Sequence, residues 1–203
     1  MKIHILGGPG SGKTTLAEQL SKRFHIPCYD LDILPAGWGT DEQTLANTRY
    51  LFELAQRSDW ITENIGLIGN DPLLDAADLL VVLEVPWQVA AWRIVYRHFY
   101  KSLHGTNRYT LKQLWPLFKG TWIYYRSSMS PAERTLMEQC LQEQSNHVEP
   151  LDVMGVFQRF QRYTFKIPLT AEFARRYLAP YRDKVVVVRN NAERALLFER
   201  LKK

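Results

Sequence analysis

Carboxylates run out at Glu84 and do not resume until Glu133. Between them lie Arg93, Arg97, Lys101, Arg108, Lys112, Lys119 and Arg126, so most of the formal net charge of +5 belongs to the second half of the chain. Cysteine is nearly absent as well. Cys28 and Cys140 are far apart and no Cys-x-x-Cys occurs, which excludes a disulfide framework and a zinc pattern and suits the reducing, cytoplasmic setting. No apolar run approaches the ~20 residues of a membrane span; the longest, around Leu79 to Val85, has the length of a strand, and no membrane partner is expected. Internal repeats and low-complexity segments are missing too. The first residues read as a core strand and not as a signal peptide.

What remains is ordinary globular material. The 203 residues, 46% hydrophobic and 23% charged, suffice for one sizeable core with a smaller appended unit. The chain opens MKIHILGGPGSGKT, and Gly7 to Thr14 fit the Walker A pattern G-x-x-x-x-G-K-[ST]. Ile3, Ile5 and Leu6 read as a short buried strand, while Leu16, Leu20 and Phe24 have helical spacing across Thr14–Phe24. Strand, glycine loop and helix make an anion nest: the glycines let backbone N–H groups converge, and the helix aims its positive end at the same point. Gly8, Pro9, Gly10, Ser11, Gly12, Lys13, Thr14 and Thr15 are therefore the candidate ATP-binding residues. Lys13 is expected at the β- and γ-phosphates and the Thr14 hydroxyl at Mg²⁺. Neither an NKxD signature nor a DxxG after the loop is present, which argues against a GTPase.

Further along, Ile26 to Tyr29 reads as a second strand ending at Asp30 and Asp32. Thr40 is a plausible N-cap for a helix over 41–57 with Leu45, Thr48, Phe52 and Ala55 on one face. Trp60 to Thr62 reads as a strand ending at Glu63 and Asn64, and Leu79 to Leu83 as a fully apolar one. Trp87 to Leu103 returns to helical spacing. Val185 to Val188 has the β-branched composition of a central strand, followed by a turn at Asn190 and Asn191 and a final helix from Ala192 to Leu201. Alternation of this kind predicts a parallel sheet between two helical layers, with ligands at the carboxyl ends of the strands. The glycine loop, Asp30/Asp32 and Glu63/Asn64 all fall there. Residues 104–182 read instead as several short basic, aromatic helices broken at Gly105, Pro116, Gly120, Pro131, Pro150, Pro168 and Pro180. Trp115, Phe118, Trp122, Tyr124 and Tyr125 are expected to pack as the core of these helices. His98 and His104 have no metal-binding pattern.

GGPGSGKT, YDLD after the second strand, WITENIG in the third and ADLLVVLEVPWQVAAWRIVYR together resemble the adenylate-kinase-like branch of P-loop kinases. Within it they are most similar to the small kinases known as DNA topology modulation proteins. The resemblance covers roughly residues 1–128 and resumes at KVVVVRNNAERALLFERL. It implies a P-loop NTPase fold, a three-layer α/β/α sandwich with a mostly parallel five-stranded sheet. Residues 1–103 and 183–203 would form the kinase core and 104–182 an extended helical lid. It also implies that Glu63 assists Mg²⁺, that Asp30 and Asp32 face the phosphoryl acceptor, that Arg93 and Arg97 grip phosphates, and that Asn190 lies near the adenine. Where an ordinary nucleotide kinase reads Asp-Gly-Phe-Pro-Arg, this chain has Glu63-Asn64-Ile65-Gly66-Leu67. The arginine for an acceptor monophosphate is missing there, which weakens a nucleoside monophosphate as acceptor. The stretch 129–180 exceeds the family's usual lid.

The residues themselves support these roles in part. A carboxylate at a buried strand end must meet a metal, water or cation. In extended chain Asp30 and Asp32 would point the same way, so either could take a proton from an acceptor hydroxyl. Arg93 and Arg97, spaced i and i+4, share a helix face suited to a phosphate clamp, with Arg108 and Arg126 as further lid candidates. The expected activity is phosphoryl transfer from Mg·ATP to a small-molecule acceptor, with Lys13, Asp32, Arg93 and Arg97 catalytic and Asp30, Asp32, Glu63 and Asn64 binding the acceptor. The alternatives are a regulatory ATP-binding switch and a nucleic-acid-associated protein using the basic helices. The basic stretch fits a phosphate-facing lid best, because a triphosphate site needs cations beside it.

Overall fold

Alternation of apolar residues along the strands decides how the layers form. The computed structural model describes residues 1–34, 39–103, 111–146 and 150–201. Pro35, Gly37, Trp38, His104, Gly105 and Arg108 lie outside the described residues, as do the side chains of Lys101 and Lys112. Strands β1 (Lys2–Gly7), β2 (Cys28–Asp30), β3 (Trp60–Asn64), β4 (Leu79–Leu83) and β5 (Val185–Val188) form one sheet in the order β2-β3-β1-β4-β5, every pairing parallel. Side chains alternate across a strand. Ile3 and Ile5 of β1 and Leu79, Val81 and Leu83 of β4 thus join Leu16, Leu20 and Leu197 in a core on one face. Leu6, Leu80 and Val82 face the opposite core with Leu51, Leu54 and Leu73. Helices α1 (Lys13–Phe24) and α9 (Asn191–Arg200) cover the first face. Helices α2 (Asp41–Gln56) and α3 (Asp71–Ala76) cover the second. The expected three-layer α/β/α architecture is present.

Local chemistry sets the helix starts. Thr40 Oγ1 accepts the Gln43 N–H at 3.1 Å while Gln43 Oε1 accepts the Thr40 N–H at 3.1 Å, a capping box that begins α2. Its buried face is Thr44, Asn47, Thr48, Leu51, Leu54 and Ala55, offset from the expected stripe of Leu45, Thr48, Phe52 and Ala55. The offset comes from α7 (Val153–Tyr163), which packs on α2 and has no counterpart in a reading of 41–57 alone. β5 is an edge strand with three of its four valines only half-buried, not the central strand its composition suggested.

The region read as a lid has two parts. Helix α5 (Leu111–Arg126) runs without a break through Pro116 and Gly120, where interruptions were expected, and packs on α4 (Trp87–Leu103). Helices α6 (Pro131–Asn146), α7 and α8 (Ala171–Tyr177) instead join the second core, contributing Met137, Cys140, Tyr163, Phe173 and Tyr177. That half is built into the wall of the sheet.

Candidate functional site: a phosphate loop between an acidic and a basic flank

The loop between β1 and α1 takes backbone angles that side chains oppose. Gly10 and Gly12 have φ of 74° and 98°, in the left-handed region where a Cβ is strained. A Cβ on Gly10 would come within 2.6 Å of the Ala90 carbonyl oxygen, and one on Gly8 within 2.5 Å of the Tyr124 ring. The loop is thus clasped from outside by α4 and α5. Arg93 Nη1 donates to the Ser11 carbonyl at 2.8 Å and to the Gly10 carbonyl at 3.4 Å, and Tyr125 Oη donates to the Pro9 carbonyl at 3.3 Å. With carbonyls turned outward to these donors, the N–H groups of Gly10, Gly12, Lys13 and Thr14 have no acceptor among the described residues. Such converging, unsatisfied donors at a helix start form an anion cradle. Thr15 is exposed in the first turn of α1.

Across the cradle stands Glu63, brought there because β3 runs parallel to β1 with Ile5 opposite Glu63. It is 2% exposed. Thr14 Oγ1 donates to Glu63 Oε1 at 2.5 Å, and Lys13 Nζ lies 4.0 Å from Oε2. Oε2 itself is buried with no hydrogen-bond partner, as are Ser11 Oγ and Asn64 Oδ1. Burial pushes the Glu63 carboxyl up, the Thr14 bond and Lys13 pull it down, and Asp30 and Asp32 push it up again. Lys13, Thr14 and Glu63, singled out separately in the sequence, meet at one point. No cluster of three or more acidic, histidine or cysteine side chains poised to ligate a metal alone occurs among the described residues.

Asp30 and Asp32 sit beside this point but not as an extended pair. β2 ends at Asp30, Asp32 lies in the following turn, and Asp30 Oδ1 accepts the Asp32 N–H at 2.9 Å. The shared direction expected of i and i+2 in a strand is therefore lost. Asp30 closes the turn. Desolvation by the surrounding chain pushes the Asp32 carboxyl up, although the residue is exposed; Lys13 pulls it down and Asp30 pushes it up. Asn64 is buried at the end of β3.

On the opposite flank Arg93 is held on the loop, whereas Arg97, one turn further, is exposed and makes no hydrogen bond or ion pair with the described residues. Arg126 stacks over Trp122 with its guanidinium carbon 4.7 Å from the ring centre. Together with Trp87, Gln88 and Tyr125 these two line an open cleft of about 450 Å³ beside the loop. Of the aromatic residues expected in a helical core, Tyr124 is buried, Phe118 and Tyr125 half-buried, and Trp115 and Trp122 exposed. Asn190, expected near an adenine, spends its side chain on α9: its Oδ1 caps the Glu193 N–H at 2.9 Å.

One constellation escaped the sequence. Asp71, at the start of α3, is buried and accepts from Arg159 Nη1 at 3.0 Å and from Tyr177 Oη at 2.7 Å. Its other oxygen takes the Gly69 N–H at 3.3 Å, and Asn70 Nδ2 donates to the Gly66 carbonyl at 2.9 Å. Helices α7 and α8 thereby brace the β3–α3 loop. No local pattern could have shown it, since Asp71 is 88 residues from Arg159 and 106 from Tyr177.

No family model and no curated protein matches this chain. Several solved structures resemble it in part. A shikimate kinase from Bacteroides thetaiotaomicron is 21% identical with a TM-score of 0.38, over 47% of this chain and 63% of that one. A shikimate kinase from Acinetobacter baumannii in complex with shikimate is also 21% identical, with a TM-score of 0.35 over 73% and 96% of the two chains. A sugar kinase from a Janibacter species is 19% identical, with a TM-score of 0.35 over 55% and 80%. Among the described residues no helix is long and apolar enough to cross a membrane.

Proposed function

We propose that this chain is a P-loop phosphotransferase that moves the γ-phosphoryl of Mg·ATP to a small-molecule acceptor. One observation carries the reading: a buried oxygen of Glu63 with no hydrogen-bond partner faces Lys13, and the other oxygen of that carboxylate accepts from the Thr14 hydroxyl, at the rim of a cradle of free N–H groups. A buried carboxylate oxygen without a partner is costly, and a cation removes the cost. The donor set is all oxygen, as Mg²⁺ requires, and too few protein ligands are present for a closed metal cage, which suits a cation that keeps waters and phosphates. Thr14 and Glu63 would hold the metal; the loop N–H groups of residues 8–15 and Lys13 would hold the phosphates. When bound, Mg·ATP supplies the transferable phosphoryl group and an electrostatic clamp on its oxygens.

The remaining work belongs to the chain. Asp32, with its carboxyl raised by desolvation, is the base that takes the proton from the acceptor hydroxyl. Asp30 fixes the turn that presents Asp32. Asn64, with Oδ1 unpartnered, offers the acceptor a hydrogen-bond acceptor of its own. Arg93 and Arg97 neutralise charge on the basic flank, Arg93 from a fixed position on the loop. On the motifs GGPGSGKT, YDLD and WITENIG we place the chain beside the small kinases known as DNA topology modulation proteins. The missing arginine after Asn64 directs the choice of acceptor away from nucleoside monophosphates.

The test is ADP formation from Mg·ATP across a panel of nucleosides, nucleoside monophosphates and hydroxylated metabolites, with Lys13→Ala as the blank. One acceptor that raises turnover a hundredfold or more above the blank is expected, on the scale of losing one electrostatic contact. ATP binding by calorimetry with no stimulated turnover across the panel would overturn phosphoryl transfer in favour of a nucleotide sensor.

A further inference from the structure

Helix α4 carries a ladder of rings that the phosphate site does not use, beside a stripe of cations of which Arg93 and Arg97 also serve that site. Its sequence runs Trp92-Arg93, then Tyr96-Arg97, then Tyr100-Lys101: a ring followed by a cation, repeated every four residues. A four-residue step advances about 6 Å along a helix and keeps residues on one face. The rings accordingly form a ladder, with centroids 6.5 Å apart from Trp92 to Tyr96 and 6.2 Å from Tyr96 to Tyr100, the last pair stacked at 23°. Trp92 is 67% exposed and Tyr96 and Phe99 are 60% exposed each. On the adjoining helix α5, Trp115 is 76% exposed. A helical surface with this many rings in water is a binding surface.

We infer that the outer face of α4 is a docking site for single-stranded nucleic acid, with bases stacking on Trp92 and Tyr96 and phosphates meeting the cations between and beside them. Charge selects the class of partner. No carboxylate lies between Glu84 and Glu133, and the exposed Arg97 makes no ion pair with the described residues. A second copy docked face to face would set arginine against arginine with nothing to cancel them. Among the described side chains the large exposed groups of α4 are rings, apart from Val89 at 37%. Rings that accept any base, alternating with cations that track a backbone, are the pattern of sequence-tolerant single-strand binding. Arg93 ties this face to the phosphate loop, so a bound strand would lie alongside the nucleotide site without entering it. The inference is independent of phosphoryl transfer.

Fluorescence anisotropy of the full chain with a labelled 20-mer of oligothymidylate decides it. Binding is expected to weaken roughly 20-fold between 50 and 200 mM salt, as for about three neutralised phosphates. The doubly substituted Trp92→Ala/Tyr96→Ala chain should lose about a hundredfold in affinity, while Tyr96→Phe, which keeps the ring, stays near wild type. Both variants should bind ATP as wild type does, which shows that the fold is intact. No binding at 50 mM salt would overturn the assignment. So would binding indifferent to the double substitution, which would reduce it to general basic charge. Binding to phosphatidylserine vesicles but not to the oligonucleotide would give the face to a membrane. Sedimentation showing a dimer that Trp92→Ala dissolves would give it to a second copy.

Discussion

On the β2–β3 side of the phosphate loop Asp30, Asp32, Glu63 and Asn64 crowd the strand ends, whereas the α4–α5 side has no carboxylate between Glu84 and Glu133. The two flanks are also held in different ways. The acidic side is braced from behind by a buried network, Asp71 with Arg159 and Tyr177, that reaches it through the β3–α3 loop. The basic side is held from the front, by Arg93 and Tyr125 on the loop carbonyls and by Tyr124 against Gly8. Burial of Tyr124 pushes its hydroxyl up to about 12, so that ring is a neutral wall. A polyphosphate between the flanks would meet carboxylates only where a metal or an acceptor proton intervenes, and cations elsewhere. Separating the charges in this way keeps each flank from neutralising the other before a ligand arrives.

The largest expected effect is chemical. Asp32→Asn removes the proposed base without changing size, and turnover should fall 10²- to 10⁴-fold while ATP affinity measured by calorimetry holds. An equal loss of both would move Asp32 from the acceptor to the metal's surroundings and blur the division of labour between the flanks. Next comes the brace. Arg159→Met leaves the buried Asp71 carboxylate without its guanidinium and should cost about 3–5 kcal/mol in a denaturant titration. Arg97→Ala on the basic flank, exposed and unpaired among the described residues, should change stability by less than about 0.5 kcal/mol. If the two substitutions cost the same, the contrast between a braced and a clasped flank fails.

That contrast also marks how far the sequence could be read. Gly7 to Thr14 announced themselves because an anion nest is built from consecutive residues, so spacing alone carries the geometry. Glu63 was legible as a carboxylate ending an apolar strand, and the parallel register beside β1 follows from alternating strands and helices. Asp30 and Asp32 were legible as residue types but not in orientation, since the three-residue strand ends at Asp30, two positions short of Asp32. Asn190 carries a side chain that capping and ligand contact both favour, and the structure shows it capping α9. The brace stayed hidden. Its members come from α3, α7 and α8, and each reads alone as a polar residue on an amphipathic helix. Pro116 and Gly120 misled in the opposite sense, as α5 continues through both.

The last test concerns a group lying beneath both flanks. His4, in the middle of β1, is fully buried and pairs its Nδ1 with Thr62 Oγ1 at 2.7 Å, and burial lowers it to about 3 from an ordinary 6.5. Between those values the unfolded chain binds a proton that the folded chain refuses. Stability from this group is therefore complete above pH 6.5 and is lost as pH falls toward 3, by about 1.4 kcal/mol per pH unit. Glu63, Asp32 and Asp71 act in the other direction: raised carboxyls favour the folded chain at low pH and lose that contribution as pH rises through them. The raw pH profile of the wild type mixes the two signs, so the difference between wild type and His4→Gln is the quantity to measure. Urea midpoints from pH 7 to pH 4 should show that difference growing in favour of the variant at each step down. A flat difference would mean that His4 takes up its proton in the folded chain as readily as in the unfolded one.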